Sequence, residues 1–376
     1  MTKKRASGSR GAPASPPRKI LFTGFPGFIG ARLLPRLLEL NHDVEFVCLV
    51  QDRFLDLAQT AIKDLAKAHP HTTKRITTVV GDITQPDLGM AQSEARALKK
   101  ELREAHHLAA VYDLAVKREV GLRINLEGTR NVLDFIEDCP HFDRLHYVST
   151  AYVSGNAVGV YHETDLDLGQ GFKNFYEETK FLAEVEVAKR KLPRTIYRPG
   201  IVVGDSRTGE TGKFDGPYFV LAAMERMPSP GIFPRLGSGD NSVNMVPVDF
   251  IVESYAKLSS VKASLGKTYN LTDPAPLSTY EMAKAMAKKM GKTFIYLPVP
   301  VFLAKAAFSP SFIQSFFGMP VQTLDYFDHP CRYDCSQATA DLKALGVACP
   351  PLSDYVDKLV DFYQQKRGLV RREAMI

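Results

Sequence analysis

Tyr176 and Lys180 stand four residues apart in Tyr176-Glu177-Glu178-Thr179-Lys180, so on a helix both project from one face. An ammonium beside a phenol favours the phenolate and can pull the phenol down from its ordinary pKa of about 10. Such a pair is an acid or base usable near neutrality. The preceding stretch Leu145-His146-Tyr147-Val148-Ser149-Thr150 reads as a strand that ends in two hydroxyls. Thr150 or Ser149 at that end can hydrogen-bond a substrate oxygen and fix its carbonyl carbon for attack. Together these residues describe hydride transfer to or from a carbon–oxygen centre. Tyr280-Glu281-Met282-Ala283-Lys284 repeats the spacing without a hydroxyl-ended strand before it, and reads as an ordinary helix pair.

Hydride chemistry needs a dinucleotide, and Thr23-Gly24-Phe25-Pro26-Gly27-Phe28-Ile29-Gly30 supplies a place for one. An apolar strand runs into this GxxGxxG turn and an amphipathic segment follows it. Glycines there permit a tight bend, close backbone approach to pyrophosphate and a helix amino end facing the phosphates. The second strand ends Leu49-Val50-Gln51-Asp52-Arg53, without an acid at Gln51 to accept from a ribose 2′-hydroxyl. Arg53 can pair with a 2′-phosphate instead, which favours NADP and leaves NAD open. Asp82 in Gly81-Asp82-Ile83 either accepts from the adenine amino group or caps the next turn.

From residue 18 to about 200, strand-like runs at 19–23, 44–50, 75–80, 105–110, 145–149 and 194–198 alternate with helical patterns. The helices fall near 28–40, 53–68, 91–104, 118–138 and 172–191. That alternation predicts an α/β fold, a doubly wound parallel sheet covered on both faces. The expected divisions are a basic arm over 1–17, a dinucleotide-binding domain over 18–204, a smaller substrate lobe over 205–366 and a tail over 367–376. A strand at 267–271 returns to the first domain; the lobe holds a helix opening on the capping box Ser278-Thr279-Tyr280-Glu281, and a last helix covers 352–366.

The net charge of +6 sits in residues 1–19, which carry six bases and no acid; the other residues balance at 42 of each sign. Nucleic acid is therefore not an expected partner. The arm lacks the apolar run of a secretory signal. Five cysteines without a CxxC pair fit reduced thiols in the cytoplasm. Phe294 to Phe308 is broken by Pro298, Pro300 and Lys305, too short a run to span a bilayer. His69, His71, His106 and His107 lack the spacing of a metal site, and none is expected.

With these motifs assembled, the chain resembles the extended short-chain dehydrogenases/reductases over residues 18 to 275. The resemblance implies Thr150 as the substrate-oxygen hydroxyl, Tyr176 as proton donor or acceptor, and Lys180 as ribose contact and pKa modulator. It also places Thr23, Gly24, Gly27, Phe28, Ile29, Gly30, Asp82, Ile83, Ala109 and Pro199 against the cofactor. His107-Leu108-Ala109-Ala110, Asn125-Leu126-Glu127-Gly128-Thr129 and Tyr197-Arg198-Pro199-Gly200 match its fourth strand, structural helix and post-strand loop. Val246-Pro247-Val248-Asp249 and Tyr269-Asn270-Leu271 also fit.

Within that family Gly81 to Gly89, Ser149 to Val153 and Arg198 to Gly204 are similar to thioester reductase domains and fatty acyl-CoA reductases, which usually carry arginine where Gln51 stands. The implied substrate is an apolar acyl thioester or aldehyde, delivered where needed by an acyl carrier protein. A steroid-type alcohol dehydrogenase or a nucleotide-sugar epimerase is the alternative, the latter needing Arg194, Arg207 or Arg235 for a second pyrophosphate; a non-catalytic cofactor-binding protein comes third. The Phe-rich run Phe308 to Phe317 lines an apolar tunnel, touches a membrane or is core of the lobe. A homodimer built on the Tyr176 helix and its neighbour follows from the resemblance alone.

Overall fold

The computed structural model describes residues 18–368 apart from 69, 71, 72, 238, 240 and 318; the expected arm, and His69 and His71, lie outside the described residues. Seven parallel strands form the central sheet: β1 Arg18–Thr23, β2 Val44–Val50, β3 Ile76–Val80, β4 Leu102–His107, β5 Arg144–Val148, β6 Arg194–Pro199 and β7 Thr268–Leu271. Their order is β7-β6-β5-β4-β1-β2-β3. The reversal between β1 and β4 opens a crevice at the strands' carboxyl ends, where ligands of such sheets bind.

Helices α1 Gly30–Leu40 and α2 Leu55–Ala68 lie against one face, and α3 Gln92–Glu101, a helical run over 118–137 (α4) and α5 Phe175–Lys189 against the other. Helix Val248–Ser260 completes the first face with Ile251, Tyr255 and Leu258. Alternation along β5 explains both layers. Leu145 and Tyr147 point toward α5, while His146 points into a stack with His106 and Tyr255.

Two boundaries differ from the sequence reading. The fourth strand runs over Leu102–His107 rather than 105–110, and α3 stops at Glu101 instead of continuing to 104. Arg103 and Glu104 are tolerated because they occupy the strand's amino end, where Arg18 pairs with Glu104 at 3.2 Å. Leu108 and Ala109 leave the sheet because their amides are drawn to Thr23. In addition, α4 is π-helical through Leu122–Glu127. The bulge lets Asn125 bond the Val111 amide at 2.9 Å and the Thr179 hydroxyl at 3.1 Å, joining α4 to α5.

A smaller lobe packs Tyr218–Arg226, Thr279–Lys289 and Leu352–Lys366 around their own core. Ser278 and Glu281 form the expected capping box, and the Lys284 ammonium lies 5.3 Å from the Tyr280 ring centre, an ordinary helix pair. Three of the chain's passages between sheet and lobe lie near Gly200, Pro247 and Thr272, and Asn244 ties these together; two more flank the helix Ser336–Ala344, which packs back on the sheet's first face. The Asn244 backbone carbonyl accepts from the Ile201 amide at 2.8 Å. Its side chain exchanges two 2.9 Å bonds with the Asp273 backbone.

The Phe-rich run divides. Phe308 and Phe317 turn inward, whereas Phe312 and Phe316 are 71% and 60% exposed. No helix among the described residues is long and apolar enough to cross a membrane.

Buried beneath the strand ends, Arg198 grips Glu184 of α5 through Nε at 2.9 Å and through Nη2 at 2.5 Å. Both side chains are at most 2% exposed. Removing one partner strands the other charge in a low-dielectric interior. Glu184→Ala is expected to lower stability by about 3 kcal/mol or more in urea unfolding, with Glu184→Gln losing less.

Candidate active site

The strand–turn–helix at Thr23 to Gly30 forms a cradle. Gly24 sits at φ +90°, and a Cβ there would lie 2.9 Å from Ala109 N and from the Leu108 carbonyl carbon. The Gly24 carbonyl accepts from the Gly27 amide at 2.9 Å. It also lies directly under α1, 2.5 Å from where a Cβ on Gly30 would be. The amides of Phe28, Ile29 and Gly30 therefore stand at the amino end of α1 with its positive dipole end. Thr23 does not offer its hydroxyl to a ligand: Oγ1 accepts from Ala109 N at 3.1 Å and meets His107 Nδ1 at 2.8 Å.

A cleft of about 590 Å³ runs from this turn past Gly81 and Ile83, then Ala109 and Pro199, to Thr150, Tyr176 and Lys180. Three members of the predicted set are placed differently. Ser149 gives its proton to the buried Glu184 carboxylate, so its hydroxyl is committed to the protein interior. Arg53 stacks over Phe54 at 4.7 Å and bonds Gln51 Oε1 at 2.9 Å, outside the cleft wall. Asp82 caps its own turn through the Thr84 amide at 2.8 Å, the second of the two roles its position allowed.

Sequence reasoning passed over Arg32, two residues after the last motif glycine, and Tyr112. Arg32 lines the cleft, lies 4.5 Å over the Phe28 ring and pairs with Glu210 of the lobe at 2.8 Å. Its helical register was legible; its neighbour across the cleft was not. Tyr112 meets the Tyr176 ring edge-on at 5.1 Å and walls both the cleft and an adjoining cavity of about 420 Å³.

Thr150 lies beyond the end of β5, its Oγ1 accepting from the Tyr152 amide at 3.3 Å. Asn174 caps α5 by accepting from the Glu177 amide at 3.0 Å, which sets the helix's first turn against that strand end. Burial pushes the Tyr176 phenol above its ordinary range, and the adjacent Thr150 hydroxyl pulls it partly back. The lysine does not act on it as the spacing suggested. The Lys180 ammonium turns inward, donating to the Tyr147 hydroxyl at 3.0 Å and the Val148 carbonyl at 2.9 Å. Burial lowers Lys180 to about 8, opposed by the Glu184 carboxylate.

Glu104, His106 and His146 bring potential ligand atoms within 4.8 Å of one another. Their imidazoles are stacked, 4.5 Å between centres at 24°, with Nδ1 atoms held by Tyr255 and Tyr197. Near-parallel rings cannot direct both lone pairs at one ion, and these histidines form a buried aromatic stack. Nor do Arg194, Arg207 and Arg235 converge: Arg194 bonds helix carbonyls, Arg207 pairs with Asp205, and Arg235 lies over Tyr280.

Residues 22–255 match the family described as Male sterility protein. The chain belongs to that family. The cleft's residues fit the cofactor this implies, because the glycine cradle leaves room that any side chain would fill, and the chain is an NAD(P)-dependent oxidoreductase of the extended short-chain type. Among its relatives, fatty acyl-CoA reductase wat of Drosophila melanogaster is 26% identical over 62% of this chain and 52% of that protein. Isonitrile lipopeptide synthase of Streptomyces coeruleorubidus is 30% identical over 68% of this chain and 17% of that protein. The chain thus spans about half or less of the length of these curated relatives. The solved terminal R domain of the myxalamid PKS-NRPS biosynthetic pathway is 26% identical, with a TM-score of 0.79 over 96% of this chain and 93% of that one.

Gly30→Ala is expected to weaken NADPH binding by about tenfold or more, read by fluorescence titration, because its Cβ would displace the Gly24 carbonyl from the turn.

Proposed function

We propose that the chain reduces an acyl thioester to an aldehyde with NADPH. The observation that carries this reading is the convergence of Thr150, Tyr176 and Lys180 on one end of a cleft whose other end is the glycine turn. A reduced nicotinamide, when bound there, supplies the hydride. Thr150 and Tyr176 hydrogen-bond the substrate carbonyl oxygen, orient its carbon and stabilise charge that develops on oxygen. Burial keeps the Tyr176 phenol protonated, so it serves as the proton donor in the reductive direction. Lys180 holds the ribose and places positive charge beside the site. Collapse of the resulting hemithioacetal breaks the carbon–sulfur bond and releases a thiol and the aldehyde, which a second round converts to an alcohol.

Several observations support the substrate class. Similarity to a fatty acyl-CoA reductase favours an acyl-CoA, and similarity to a terminal R domain and a lipopeptide synthase favours a carrier-bound thioester. The small apolar cavity of about 80 Å³ against Phe308, Phe317 and Phe327 suits an alkyl chain. The three arginines a sugar nucleotide would need face elsewhere. Arg32 replaces Arg53 as the cation for a 2′-phosphate, at the expense of its pair with Glu210.

The test is loss of 340 nm absorbance on mixing protein and NADPH with acyl-CoAs, aldehydes, sterols and nucleotide sugars. Turnover of acyl-CoAs and aldehydes is expected, falling by about a hundredfold or more in Tyr176→Phe; turnover of sterols alone would sink the thioester reading. Because Lys180 carries its proton only below about pH 8, the rate should fall as pH rises through that value. A wild-type rate that stays flat to pH 10 would show the ammonium is not required.

A further inference from the structure

Lys180 is the terminus of a buried hydrogen-bonded chain that begins at the glycine turn. Thr23, His107, Thr129, Tyr147 and Lys180 are each at most 3% exposed. They come from β1, β4, α4, β5 and α5 in turn. Thr23 Oγ1 lies 2.8 Å from His107 Nδ1, and His107 Nε2 lies 3.0 Å from Thr129 Oγ1. Thr129 stands beside the Tyr147 phenol and eases its ionisation against the effect of burial, and the phenol oxygen accepts from Lys180 Nζ at 3.0 Å.

We propose that Tyr147 is a positioning residue for Lys180, and that Thr129 and His107 fix Tyr147 in turn by a chain of one hydrogen-bond polarity anchored at Thr23. The polarity follows from two amide donors: Leu108 N and Ala109 N can only donate, and both donate to Thr23 Oγ1, at 3.2 and 3.1 Å, filling its two lone pairs. The Thr23 proton then goes to His107 Nδ1. Burial and the Lys180 ammonium push His107 down to about 3, so the ring is neutral and its one proton is on Nε2. Nε2–H donates to Thr129 Oγ1, and the Thr129 proton goes to the Tyr147 oxygen. The Thr23 and Thr129 hydroxyls are thereby held, and the phenol oxygen is fixed where the ammonium needs an acceptor.

The charged and titratable groups facing Lys180 are few. Glu184 and Tyr176 lie on its own helix, Tyr147 on β5 and His107 on β4, with Arg198 of β6 bound to Glu184. Of these, Tyr147 alone touches the ammonium, together with the Val148 carbonyl. Without the phenol oxygen the ammonium keeps one protein acceptor in a desolvated site and gives up its proton more readily.

The proposal rests on Lys180 acting as an ammonium, and its test is read without turnover. The full chain carrying lysine labelled with carbon-13 at Cε is titrated by NMR, the Lys180 signal being assigned by its loss in Lys180→Met. Wild type should titrate near pH 8, and Tyr147→Phe should titrate about one unit lower. Thr129→Val should shift Lys180 the same way by a smaller amount, and Thr129→Ser, which keeps the hydroxyl, should restore the wild-type value. Nitrogen-15 shifts of His107 should show a neutral ring protonated at Nε2 from pH 5 to 9. An unmoved Lys180 titration in Tyr147→Phe, or a His107 proton on Nδ1, overturns the proposal. If Lys180→Met keeps the wild-type rate on octanal with NADPH, the catalytic reading fails while the positioning result stands by itself.

Discussion

Holding one positive charge out of water is the constraint around which this molecule is arranged. Lys180 is 3% exposed in the layer between α5 and the sheet, and an isolated ammonium there would lose its proton. The surrounding structure prevents that. Val148 turns its carbonyl inward, Tyr147 places its oxygen within 3.0 Å, and Glu184 one turn along the helix supplies the compensating charge. Arg198 then holds Glu184, and Ser149 bonds the same carboxylate. The end of β5, the end of β6 and a full turn of α5 thus support this one lysine.

The glycine turn meets the same arrangement from the other side. Gly24 passes so close to Ala109 that no side chain fits, and the Ala109 amide is spent on Thr23. The glycine turn and α5 are therefore not independent pieces that happen to share a cleft. They are connected through β4, whose last residue, His107, bonds both Thr23 and Thr129. A change in the turn that moved Thr23 would be felt along buried hydrogen bonds at the ammonium.

What the sequence disclosed and what it concealed divide along physical lines. The turn and the Tyr176–Lys180 pair were legible because each is local: spacing alone decides which side chains share a face. The alternation of strands and helices followed from patterns that hydrophobic burial imposes. Adjacent hydroxyls were harder, since Ser149 and Thr150 differ only in which face of a strand end they occupy, and the partner that claims Ser149 is 35 residues away. Arg53 and Arg32 show the same limit. Both are near the nucleotide in sequence, but Phe54 and Glu210 determine where each guanidinium rests. The charged start of β4 disguised a buried strand. The phenol's environment was also misjudged, because spacing reports proximity along a helix and says nothing of how a long side chain bends inward.

Asn244 carries a mechanical implication. Three of the backbone passages between sheet and lobe meet at this residue, whose side chain laces two of them while its carbonyl holds the third. Parallel tethers fastened at a common seam act as a door hinge rather than a flexible leash. A swing of the lobe about that seam would widen the cleft most at the edge farthest from it and least beside Pro199.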